Sequence, residues 1–81
     1  MARVYQVSDS NREWKQLVEL PTVDAALLYA IKRCAQMGKV EVVGPYAPVL
    51  SQHAHVMPDD IVDCWRLVPP GCGVAVYVTD N

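Results

Sequence analysis

The chain has 81 residues, a formal charge of −2, 52% hydrophobic residues and 20% charged ones. That is room for one domain, residues 1–81, because two cores would each fall below the size that folds unaided. The composition is globular and excludes disorder. A pI of about 5.5, with Lys32-Arg33 as the single adjacent basic pair, argues against direct nucleic-acid binding.

The charge is divided unevenly. Residues 1–39 carry six basic and four acidic groups, hence +2, and residues 40–81 carry one basic and five acidic, hence −4. MARVYQV lacks a basic head followed by a long apolar run, so no leader is expected. No stretch approaches the ~20 apolar residues that cross a bilayer, so no membrane partner is expected. Cys34, Cys64 and Cys72 cannot all pair within one chain, which points to reduced thiols and a cytoplasmic setting, in a cell or an infected cell.

RVYQV, residues 3–7, alternates and is rich in β-branched and aromatic types, the pattern of a strand. SDSN favours a turn. REWKQLVEL admits two readings. Ser10 and Glu13 stand at capping-box spacing, and Trp14, Leu17 and Val18 at helical spacing, but Pro21 leaves about two and a half turns at most. A second strand forming a hairpin is the preferred reading. PTVDAALLYAIKRCAQMGK then predicts a helix from about Val23 to Met37, with Thr22 as N-cap, Asp24 in the first turn, Lys32 and Arg33 in the last turns and Gly38 beyond the end. Val23, Leu27, Ile31 and Cys34 form its expected buried stripe, widened by Ala26 and Ala30.

KVEVV, from Lys39, reads as a short strand, and GPYAPVLSQ, with two prolines and a glycine, as a connection over 44–52. HAHV is a candidate strand, and MPDDIVD a single helical turn with Pro58 in its first position. CWRLV and VAVYVT are strands around the reversal PPGCG. The order β-β-α-β, an irregular crossing, then β-β predicts an α+β fold. It is a small, mostly antiparallel sheet of about four to five strands with one main helix on one face. No further element is available to cover the other face, which predicts a polar surface, a homodimer or a docked partner.

SQHAHVMPDDIVDC, residues 51–64, holds both histidines. If extended, His53 and His55 project from one face at the spacing of half a metal site, with Asp59, Asp60, Asp63 or Cys64 to supply the rest. Paired ligands at a second end are lacking, so a polar loop is the preferred reading and no cofactor is expected. Cys34 and Cys64 read as small core residues, and Cys72, between Gly71 and Gly73, as the exposed thiol. No nucleophile–base set or phosphate loop is visible, so an enzyme is not expected. Asp59, Asp60 and Asp63 are the densest charge and form a candidate docking patch for a basic protein surface. Tyr46, in the proline-flanked GPYAPVL, is the candidate aromatic anchor.

These features predict a small non-catalytic module that works by occupying a protein surface. In size, charge and self-containment the chain resembles, as a class, the small stand-alone proteins that bacteriophages encode to block host machinery, anti-CRISPR proteins among them. The resemblance implies an inhibitor of a host protein with a basic surface, such as one that binds nucleic acid, acting in the host cytoplasm. In that setting the acids of 59–63 imitate phosphates or meet basic residues. The alternatives are a small metal-binding or metal-sensing protein using His53 and His55, and a nucleic-acid module using Lys32, Arg33 and Lys39.

Overall fold

A computed structural model describes residues 1–36, 38–55, 57–58, 64–69, 71 and 73–80. Its elements are β1 (Ala2–Ser8), β2 (Trp14–Leu20), α1 (Val23–Ala35), β3 (Val42–Ala47), the short α2 (Ser51–Ala54), β4 (Cys64–Leu67) and β5 (Val74–Thr79). The five strands form one open sheet in the order β2-β1-β5-β4-β3, with every neighbouring pair antiparallel. The α+β fold with one main helix on the sheet is thus the observed one, and the hairpin reading of residues 3–20 holds. Among the described residues, no helix is long and apolar enough to cross a membrane.

The sheet is buried on both faces at its centre. VAVYVT in β5 is almost wholly enclosed, which is why it reads as continuous apolar sequence instead of alternating. On one face Val4, Val76, Val78 and Leu67 meet Ala26, Ala30 and Cys34 of α1. The helix starts where Thr22 Oγ1 accepts the Ala25 N–H at 3.2 Å, and the Arg33 Nε donates to Gln6 Oε1 at 3.0 Å to tie its last turn to β1.

The expected helix stripe needs correction at one position. The contact line runs through Ala26, Ala30 and Cys34, whose small side chains let the helix axis approach the sheet. Ile31 lies off that line and is 38% exposed, as is its neighbour Leu28 at 54%. The helix also ends at Ala35, slightly before the expected Met37, which lies outside the described residues.

β2 departs from simple alternation. Val4 pairs with Val18 but Tyr5 with Gln16, so Leu17 is an extra residue, a β-bulge. The bulge sends Val18 and Leu20 to the helix side and Trp14 to the opposite side, against Val7.

That opposite face is covered in part by the chain itself. Residues after β3 cross it as a strap: Val49 and Leu50 pack on Tyr5, Val7, Cys64, Ala75 and Tyr77, together with Trp14. Trp14 stacks on Tyr77 with ring centroids 4.6 Å apart and meets Tyr5 edge-on at 5.7 Å. The expectation of an uncovered face is therefore overturned. Val49 and Leu50, the large apolar residues of this crossing, are half-buried against the chain's own sheet. The candidate strand HAHV is likewise corrected, since His53 and Ala54 belong to the helical turn α2.

Candidate interaction surface

The strap is fixed by a chain of polar contacts that begins with a buried histidine. His53 is fully buried, with Nε2 3.0 Å from Asp9 Oδ1 and Nδ1 3.0 Å from the Tyr77 hydroxyl. The Leu50 N–H donates to the same hydroxyl at 3.2 Å, and Trp14 Nε1 donates to the His53 carbonyl at 3.2 Å. One hydrogen-bond arrangement satisfies every group: His53 donates from Nε2 to Asp9, and Tyr77 donates to Nδ1 while accepting from Leu50. Burial pushes the Tyr77 phenol above its ordinary pKa, outweighing the Leu50 N–H and the nearby Arg66, which pull it down. An Arg66 Nη1–H to Pro48 carbonyl bond closes the strap at its start.

Tyr77 and His53 are both fully buried, so the network holds the strap from the inside. It anchors the segment that carries the exposed part of the molecule, the end of β3. There Val43 pairs with Arg66 and Ala47 with Cys64, so Gly44, Pro45 and Tyr46 stand opposite the single residue Trp65. Three residues against one must leave the sheet plane. Gly44 makes the detour possible: its φ is +149°, and a Cβ there would lie 2.6 Å from Trp65 Cδ1 and 2.9 Å from its Cα. Tyr46 emerges from the detour at φ 66°, in the left-handed region that a bulky side chain rarely adopts, and is 75% exposed.

Around Tyr46 lies a recess of about 30 Å³ bounded by Pro45, Cys64, Trp65 and the exposed Asp80. Pro45 and Pro48 are exposed on either side of it. Sequence reasoning reached Tyr46 through its proline-rich setting but missed Asp80 and Trp65, because the pairing of β4 with β3 and β5 is what brings them together.

Of the other predicted site residues, Asp59, Asp60 and Asp63 lie outside the described residues, as does Cys72. In sequence the acidic tract leads directly into β4, which begins at Cys64 opposite Ala47 and next to Tyr46. His53 and His55 do not form a pair. In a helical turn, residues two apart point roughly 200° from each other. His53 is used up inside, and His55 is exposed with Nε2 3.4 Å from Arg12 Nη1, a cation that opposes a metal ion. Cys64 is buried, its Sγ 4.0 Å from the Ala47 carbonyl. Among the described residues, no group of three or more His, Cys, Asp or Glu is gathered as a metal site would require.

No protein-family model matches this chain, and no curated protein or solved structure matches it either.

Proposed function

We propose that this chain is a small non-catalytic protein-binding module that acts by occupying a partner's surface, with Tyr46 as the central contact. The observation that carries the reading is the treatment of Tyr46: an aromatic residue held at positive φ on a glycine-dependent detour and three-quarters exposed. Such a conformation costs about 1–2 kcal/mol, and exposure returns little of it as burial. A surface tyrosine with no task would be better replaced by Gly or Asn. Tyrosine supplies binding energy when its ring is enclosed by a partner, often 2 kcal/mol or more.

The excess of acid in residues 40–81 favours a partner with a basic surface. Asp59, Asp60 and Asp63 speed encounter and fix register, and Tyr46 supplies the apolar contact. An inhibitor of a host nucleic-acid-binding protein, of the kind phages encode, fits this division of labour. The test is capture from a host lysate with wild-type protein and with Tyr46→Ala, at low and high salt. A partner retained by the wild type, weakened about thirtyfold by Tyr46→Ala and weakened further by salt supports the proposal. Equal retention by the two proteins would remove Tyr46 as the contact.

A further inference from the structure

Tyr46, Pro45, Trp65 and Asp80 combine two aromatic rings and a carboxylate in one small recess. A space of about 30 Å³ is an order of magnitude below an ordinary ligand pocket, so it takes the tip of a side chain and not a free metabolite. The recess lies next to the exposed Tyr46 ring, within the contact proposed above. Among the described residues, no cation forms an ion pair with Asp80. Arg66, the one Lys or Arg after Lys39, donates instead to the Pro48 carbonyl.

We propose that this recess seats a cationic side chain of the partner protein, an arginine above all. The assignment rests on the protein-binding reading and names the chemistry of its central contact. A guanidinium is flat, so it lies against the Tyr46 ring while its N–H fork meets the Asp80 carboxylate. A lysine ammonium offers a point charge without the fork or the flat face. The aromatic wall lowers the local dielectric, which makes the Asp80 contact worth more than a fully solvated ion pair. Gly44 and Tyr46 sit in the backbone conformations that shape the recess, so the seat is built before the partner arrives.

The probe is N-acetyl-arginine methylamide, titrated into isotopically labelled protein at matched ionic strength, with the citrulline and lysine analogues as controls. Amide and indole shifts should localise to Tyr46, Trp65 and Asp80, be at least threefold larger for arginine than for citrulline, and exceed those for lysine. Asp80→Asn should weaken the arginine effect at least threefold, and Tyr46→Ala should abolish it; both residues are exposed, and an unchanged melting curve certifies each variant as folded. No localised shift up to about 100 mM probe, or equal shifts with citrulline, overturns the arginine seat. The two readings separate cleanly with a captured partner. If its retention depends on Tyr46 and is indifferent to Asp80→Asn, the Tyr46 contact stands and the seat falls; indifference to both removes Tyr46 as the contact and the seat with it.

Discussion

Tyr77→Phe tests the buried polar chain with the smallest possible change in shape. The hydroxyl serves two partners, His53 Nδ1 at 3.0 Å, which is buried, and Leu50 N–H at 3.2 Å, which is partly buried. Its removal leaves two polar groups without that partner, each costing about 1–3 kcal/mol; because the strap can relax toward water, about 2–4 kcal/mol in total is the working figure. A domain of this length holds about 4–12 kcal/mol altogether, so roughly a sixth of the stability or more is at stake. Thermal unfolding followed by circular dichroism should move down by about 10–25 °C. The alkaline limb gives a second readout. The native phenol has a raised pKa, so it keeps its proton where the unfolded chain, with its ordinary value of 10.0, releases it. Tyr77 therefore contributes its full share of stability below pH 10, and that share drains away as pH rises toward the raised native value, at up to about 1.4 kcal/mol per pH unit. Tyr77→Phe should flatten that limb. A variant that melts within ~4 °C of the wild type, with the same alkaline slope, would refute the claim that the hydroxyl fastens the strap.

Gly44→Ala places a Cβ 2.6–2.9 Å from Trp65 at φ +149°, so it should cost about 2 kcal/mol or more and blunt Tyr46-dependent binding; chemical denaturation measures the first and partner capture the second. Thr79→Val should stabilise by about 1 kcal/mol, since the Thr79 hydroxyl is buried with no hydrogen-bond partner among the described residues and valine keeps its shape; a lower denaturation midpoint would count against this. Light scattering should return the mass of one 9.0 kDa chain, because the sheet face opposite α1 is already covered by the strap; a stable dimer would contradict it.

The sequence made some elements plain and disguised others for reasons visible in single residues. The helix was legible because Thr22, Asp24, Lys32 and Arg33 all agree on its direction and ends. The strand β2 was ambiguous because the bulge at Leu17 breaks the two-residue period and leaves Trp14, Leu17 and Val18 at spacings that also suit a helix. Ile31 was misplaced because hydrophobic periodicity ranks large residues first, whereas the close helix–sheet contact selected alanines. The strap could not be recognised: His53 and Asp9 are 44 positions apart, and Leu50 and Tyr77 are 27 apart. No local pattern announces such pairings, so a buried structural histidine read as part of a polar surface loop, with half of a metal site as the alternative. Tyr46 was found because prolines flag irregular backbone, but Asp80, at the far end of β5, was joined to it only by strand order.

The outermost strands share a property that bears on life at high concentration. β2 carries a bulge in mid-strand, and β3 leaves its ladder for three residues and contains Pro45. Neither presents an unbroken rail of amides onto which a stray chain could zip, so growth into fibrils has no smooth starting surface at either end. Edge-to-edge pairing of two such sheets is thereby disfavoured, even though half of the residues are apolar.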